Sequence, residues 1–527
     1  MRLHLLTFGG QIVTARSFSL MPMKARPSTP LPSLRSGYRL LPLLAALGLA
    51  GCAVGPHLPA PTAPLPTRYN QHAVNGAQQT QHLQWTGGQS QSWWHLFHSP
   101  LLNGLIAAAT RNNPDLAAAQ SSLAQAQALE GVANAGFLPQ LGANLGAARQ
   151  RALRAGTNGG FGTRVPGNPY TLLLGSVDIR YNPDVFGRQG YILKDARARS
   201  AVARAELHQV QVFLGGAVAQ AVITAASAHA QARLAQAMAK DDARLLTLIR
   251  NEYRLGAQNL QTVDEQEAVA EAAAARIPPL RAAASTARHQ LAALLGTVPD
   301  APLSLPSLAE LRLPTVIPTL VPSALLENRP DIQAARAETA AAAAEVGVAT
   351  ANLYPNIDIS ASLGKAAMTG GMFFNPASTL WAIGSSLAAP IYEGGALHAK
   401  KRAAMDHWRV ATDRYRATVL NAFRQVADAL RAVQSADTTY THSKAAARAA
   451  ASAYRLAVAR YRDGAVDYAT LLNAELEAQK DEIAAVQARA QRYLDSAALF
   501  VAMGDGWWQD PATPQPFGPT APARSSE

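Results

Sequence analysis

The sequence predicts an α+β membrane chain made of one unit used twice. Each unit pairs a transmembrane β-hairpin, giving four strands per chain, with helices long enough to wall a coiled-coil barrel. Three observations carry this. The stretches NPDLAAAQSSLAQAQALEGVANAGFLPQL (113–141) and RPDIQAARAETAAAAAEVGVATANLYPNI (329–357) align without a gap, matching Pro114 with Pro330, Asp115 with Asp331, Gly131 with Gly347, Val132 with Val348 and Pro139 with Pro355. Self-similarity of this length marks an internal duplication. After Pro355 the apolar period falls to two, Ile357, Ile359, Ala361 and Leu363 alternating with Asn356, Asp358, Ser360 and Ser362, as in a strand with one apolar and one polar face. From Arg188 to Arg254 and from Leu397 to Arg462 there is no proline, so each stretch can run as one helix of about 100 Å.

At the N-terminus, Arg2, Arg16, Lys24, Arg26, Arg35 and Arg39 precede Cys52 without one acid, and Leu40–Leu49 is an apolar run too short to span a bilayer. Residues 1–51 read as an export signal, with translation starting at Met1 or at Met21 or Met23. Leu49-Ala50-Gly51-Cys52 matches a bacterial lipobox, and Cys52 is the single cysteine among 527 residues. It is expected to carry S-diacylglycerol and an N-acyl chain such as palmitate, an anchor made lasting by roughly 0.8 kcal/mol per buried methylene. In lipoproteins of this kind Ala53, rather than Asp, directs the chain to the outer membrane. A thiol-free remainder suits an oxidising compartment. Residues 52–100 form the N-terminal lipidated segment.

The first repeat covers 101–296, with a hairpin of strands 139–150 and 170–182 around the Gly-rich loop 154–169. The second covers 323–504, with strands 356–366 and 379–391. Strands of about ten residues suffice to cross a bilayer when tilted. Further along, Tyr253-Arg254-Leu255-Gly256-Ala257 is answered by Tyr461-Arg462-Asp463-Gly464-Ala465, and Gly296 by Gly504. Gly256 and Gly464 fit left-handed C′ positions, and the return helices 261–296 and 468–504 follow. In the first of these RIPPLR (276–281) predicts a kink, with Ile277 pushed from α geometry by the following proline. The connector 297–322 is rich in proline and predicts an extended crossing over the outside of the helices. The tail 505–527 predicts disorder.

Composition narrows the function. The net charge of +12 owes six charges to the leader, and the densest basic run, AKKRAAMDHWR (399–409), reads as a solvated helix face rather than a nucleic-acid site. His95 and His98 have no third ligand nearby and read as packing or surface residues. No phosphate loop, nucleophile elbow or paired-cysteine motif occurs, so no enzyme, metal or cofactor is expected. After Cys52 no stretch of 18 or more apolar residues predicts a membrane-spanning helix. Four strands cannot close a barrel, and an open edge in lipid strands backbone groups. Closure is therefore expected between chains: two copies would give eight strands with a nearly filled interior, three would give twelve and a lumen.

SWWHLFHSPLLNGLIAAATRNNPDLAAA (92–119), with Trp93, Trp94, Phe97, Leu101, Leu102 and Asn113-Pro114-Asp115-Leu116, then YNPDVFGR (181–188), IPPLR (277–281), RPDI (329–332), PIYEGG (390–395) and YRDGAVDYATLLNAE (461–475), carry a resemblance over about 90–522. The chain resembles the TolC-like bacterial outer-membrane efflux channels, and among them the NodT-type lipoproteins. The resemblance implies a homotrimer closing a twelve-stranded barrel above a periplasmic α-barrel, joined to a periplasmic adaptor protein and an inner-membrane pump of the RND type, for multidrug efflux. In such channels acids near the start of the return helices form rings that constrict the periplasmic mouth; Asp264, Glu265 and Asp467 stand there as the expected gate residues, while Asn473 replaces a frequent Asp. Their alternative is solvated or capping acids at helix N-termini. The tips Arg254, Leu255, Gly256 and Arg462, Asp463, Gly464 are the expected adaptor-docking points. Two other readings are a type I protein-secretion duct and a non-conducting lipoprotein spacer.

Overall fold

The computed structural model describes residues 54–56, 58–64, 66, 69, 81–86, 92–151 and 169–504. Cys52, the leader 1–51, the loop 152–168 and the tail 505–527 lie outside them. In chain order the elements are strand β1 (His82–Thr86), a 3-10 turn (Trp93–Phe97), helices α1 (Pro100–Asn112) and α2 (Pro114–Ala135), strands β2 (Gln140–Gln150) and β3 (Tyr170–Tyr181), helices α3 (Arg188–Arg254), α4 (Leu260–Ala275) and α5 (Ile277–Leu294), strand β4 (Val316–Leu320), helices α6 (Pro322–Asn328) and α7 (Pro330–Ala351), strand β5 (Asn356–Ala367), helix α8 (Gly370–Phe373), a second 3-10 turn (Pro376–Ser378), strand β6 (Thr379–Ala388), and helices α9 (Ala396–Arg462) and α10 (Tyr468–Met503).

The order helix, hairpin, 67-residue helix, return helix occurs twice. Prolines start the short helices: Pro114 and Pro330 sit at N1, where the missing N–H costs nothing, and the Asn113 side chain caps α2 through Leu116 N at 3.0 Å. Both long helices begin after glycines at positive φ, Gly187 at 77° and Gly395 at 85°. The return path of the first half is broken only at Arg276 (φ −73°, ψ −20°), which keeps helical dihedrals while Pro278 and Pro279 fall in the first turn of α5. Ile277 is thus helical, and the interruption lies one residue earlier than the proline rule predicts.

The helices pack in a bundle in which α3 touches α2, α4, α5, α7 and α10, and α9 touches α7 and α10. Alanine dominates the buried face of α3 and lets the helix axes approach closely. Helix α3 contains a window whose mean hydropathy would suit a membrane span, but 67% of that window is buried inside the bundle, so it is core. At mid-length the 3-10 turn seals the junction of the halves: Trp93 stacks on Phe500 of α10 with centroids 5.2 Å apart, and Trp94 and Phe97 are buried beside it. His95 and His98 point to solvent, and His98 Nδ1 lies 2.8 Å from the Leu96 carbonyl.

The connector 297–322 holds an element that the sequence did not reveal. Its β4 pairs in parallel with β1, His82 opposite Val316 through Thr86 opposite Leu320. Pro318 within β4 argued against a strand, but a two-stranded ribbon has an outer edge that needs no donor there. Gln81 fastens this ribbon by donating to Pro314 O and Ser496 Oγ at 3.0 and 3.1 Å.

Candidate functional site: a two-faced sheet and a pair of helical tips

The strands β2, β3, β5 and β6 form one antiparallel sheet in that order. Ile179 stands opposite Leu141 and Ala361, and Ala361 opposite Ile383; residues so paired share a face. That face also carries Leu145, Val177, Leu363, Trp381 and Leu387, all exposed, Leu145 at 84% and Ile383 at 75%. The opposite face is polar. Asp178 accepts from Asn144 Nδ2 at 2.6 Å and Ser176 Oγ at 2.9 Å, and Asn182 donates to Asn356 and Asp358 at 2.6 and 3.1 Å. A half-buried soluble sheet would cover its apolar face; here that face is bare in the single chain. Among the described residues β2 and β6 each keep one edge unpaired.

At the base of the sheet the described chain begins. Val54 N donates to Phe186 O at 3.5 Å, and Gly55 lies so close to the Tyr191 ring that a Cβ there would run into its hydroxyl. Phe186 and Tyr191 mark the passage from β3 to α3. Farther on, Thr62 O accepts from Arg416 Nε of α9 at 3.2 Å, and Tyr69 stacks on Trp85 of β1.

At the other end the two long helices stop in the same way. After Arg254, Gly256 N donates to Tyr253 O at 2.9 Å and Ala257 N to Glu252 O at 2.9 Å; after Arg462, Gly464 N donates to Tyr461 O at 3.0 Å and Ala465 N to Arg460 O at 2.8 Å. Both are Schellman closures, with Gly256 and Gly464 left-handed at φ 80° and 70°. Leu255 projects 85% exposed, and Arg254, Arg462 and Asp463 are exposed. One hydroxyl ties the tips together, since Tyr461 OH donates to Glu252 Oε2 at 3.1 Å and accepts from Gln258 Nε2 at 3.0 Å.

The acids singled out from the sequence face solvent here. Asp264 and Glu265 are exposed on α4, and Glu265 accepts from Gln261 at 2.8 Å. Asp467 caps α10 through Thr470 N at 2.9 Å, and hydrogen bonds from Thr470 hold its carboxyl below the ordinary carboxylate range. Asn259 does the same for α4 through Thr262 N. The residues that sequence reading missed lie just behind them. Asp242 and Gln266 of the first half and Glu475 and Gln479 of the second are buried together, with Tyr468 OH donating to Gln266 Oε1. A signal existed: Met238, Asp242, Leu246 and Ile249, like Leu471, Glu475 and Gln479, follow the spacing of a buried helical stripe.

A family model described as outer membrane efflux protein matches residues 105–297 and again 321–505. The pyoverdine export outer membrane protein OpmQ of Pseudomonas putida is 31% identical over 424 residues, spanning 80% of this chain and 90% of that protein. The antibiotic efflux pump outer membrane protein ArpC of Pseudomonas putida is 26% identical over 466 residues, 88% of this chain and 94% of its own length. The solved structure of the outer-membrane channel OprN superposes with a TM-score of 0.77 at 28% identity, covering 86% of this chain and 100% of that one. A two-faced sheet on paired long helices, a family match in each half and relatives aligned nearly end to end converge on one assignment: the chain belongs to the outer membrane efflux protein family.

Proposed function

We propose that this chain is the outer-membrane channel of a tripartite efflux system, passing small toxic compounds from an inner-membrane pump and a periplasmic adaptor to the exterior. The observation that carries it is the sheet whose apolar face is bare, whose other face is polar, and which continues into two 67-residue helices. Three copies would pair β6 of one chain with β2 of the next and close twelve strands around a polar lumen, satisfying every edge. The family match in each half and the recurring element order support an internal duplication. The printed roles of the relatives, pyoverdine export and antibiotic efflux, support efflux over the other readings.

Three site assignments belong to this proposal. Cys52 carries the lipid anchor, a reading favoured by Val54 and Gly55 lying at the base of the sheet, where the inner leaflet would be. The tips Arg254, Leu255, Gly256 and Arg462, Asp463, Gly464 would form six near-equivalent docking points in a trimer, which suits a ring of adaptor hairpins. Asp264, Glu265 and Asp467, three copies each, would form the acidic rings that constrict the periplasmic mouth, Asp467 also capping α10. Single-channel recording in a planar bilayer tests the whole. Stepwise conductance is the expected result; its absence in correctly assembled protein would leave a spacer and refute the channel.

A further inference from the structure

Asp242 on α3 and Glu475 on α10 come from opposite halves of the chain and are both buried in the bundle interior, about 18 Å from the tip by the helical rise from Asp242 to Arg254. Glu475 stands one turn before Gln479, whose amide reaches Asp242, the two carboxyls act on each other's titration, and they are 0% and 3% exposed. Gln479 Nε2 donates to both Asp242 oxygens, at 3.0 and 3.3 Å, and Tyr454 OH of α9 donates to Glu475 Oε1 at 3.1 Å. Glu475 Oε2 is buried with no donor. Gln266 of α4 gives its amide to the Asp242 carbonyl at 3.2 Å, not to either carboxyl.

Among the described residues, one cation, Arg276, is seen to act on Asp242, against two neighbouring acids, Asp241 and Glu475. Asp241, beside the pair on α3, adds repulsion, while Arg276 at the α4–α5 break attracts Asp242 only weakly, below the effect of Asp241. The tyrosines Tyr454 and Tyr468 are neutral, their hydroxyls pushed well above the ordinary range, first by burial and then by Glu475. Two carboxyls in contact cannot both ionise without a partner, whereas one proton between them supplies the donor that Glu475 Oε2 lacks and makes a strong charge-assisted bond.

We propose that Asp242 and Glu475 share one proton and form a latch between the two halves of the chain, closed while the proton is held and loosened when it leaves. Burial first, and the neighbouring Asp242 second, raise Glu475 from its ordinary 4.5 to about 7. A carboxyl with a raised value holds its contact fully below about 4.5 and loses it as pH climbs through about 7. The helical end is therefore tight in acid and relaxed in mild alkali. Nothing in the latch itself requires the channel reading; its effect on a periplasmic mouth rests on that reading.

Full-length protein carrying spin labels at T247C and K480C, exposed positions on α3 and α10, reports the distance between them by pulsed electron resonance. The expected result is one short distance at pH 5 and an outward shift by pH 8.5, with a midpoint near 7. In E475Q the shift should be lost and the short distance retained, because an amide can donate where the protonated acid did. The doubly neutral D242N/E475Q should behave the same and serves if the single variant misfolds. An unmoved distance in the parent, an equal shift in E475Q, or an outward shift on adding a chelator at pH 5, which would make a metal ion the bridging species, would each overturn the latch. Conductance measured on the same preparation separates the two proposals: distances that shift without conductance break the channel reading alone, and conductance with fixed distances breaks the latch alone.

Discussion

The two halves of the chain end alike and are filled differently. Both long helices close on a left-handed glycine with the same pair of backbone hydrogen bonds, yet behind the tips the likeness stops. At the repeat spacing Asp242 is answered by Ala450 and Gln266 by Ala474, while Glu475 is answered by Glu267, which sits exposed in an ion pair with Arg250 at 2.8 Å. The return path is two helices in the first half and one 36-residue helix in the second. Backbone course follows caps and turns, which tolerate change in the residues they do not use. Polar contents differ where the halves face each other, because there each side chain must suit a neighbour from the other copy.

The severest test of the likeness sets a charge on the same face in each half. Ile179 and Ile383 stand at one level of the sheet on its apolar side, and I179R and I383R should each cost about 2–4 kcal/mol if both meet hydrocarbon, seen as less assembled protein in membranes and a lower unfolding midpoint. Sensitivity of only one would mean that the hairpins face different media. Next comes the core behind the tips. Ile249 is fully buried and its counterpart is Ala457, so I249A should destabilise by about 2–4 kcal/mol and loosen the first half to the smaller packing that the second half already has, measured by thermal unfolding.

Much of this was legible because it depends on local chemistry. The alternation after Pro355 gave the strand faces, the absence of proline gave the long helices, and Gly256 and Gly464 gave the turns. The β1–β4 ribbon was hidden because it pairs strands more than 200 residues apart, each five residues long, one carrying Pro318. The acids near the helix starts drew attention by position, but Asp467 is used by its cap, and the buried Asp242 and Glu475 depend on which helices meet. A stripe period shows that a polar residue is inside; it does not show what stands opposite.

Smaller effects sharpen the comparison at the tips. G256V and G464V each force a branched side chain into φ near 80° and 70°, costing about 1–2 kcal/mol with no clash, since nothing lies within 4 Å of either position. Folding and assembly should survive while cross-linking to the adaptor falls for both variants; unchanged cross-linking in the double variant would reduce the tips to plain turns. The least effect concerns the caps. Asp467 titrates below its ordinary 3.8, so its cap is intact above that value and weakens as pH falls through the lowered one, whereas Asn259 carries no charge to lose. Amide exchange in acid should therefore rise at Tyr468–Leu471 before it rises at Leu260–Val263.

Three copies are proposed to close one barrel through the free edges of β2 and β6. Cysteine pairs scanned along Gln140–Gln150 and Thr379–Ala388, oxidised in the membrane and resolved under denaturing conditions, test it most directly. A covalent species that stops at three chains, formed at one strand register and its neighbours, is the expected result; a product that stops at two chains, an open-ended ladder or no cross-link at any register would contradict it.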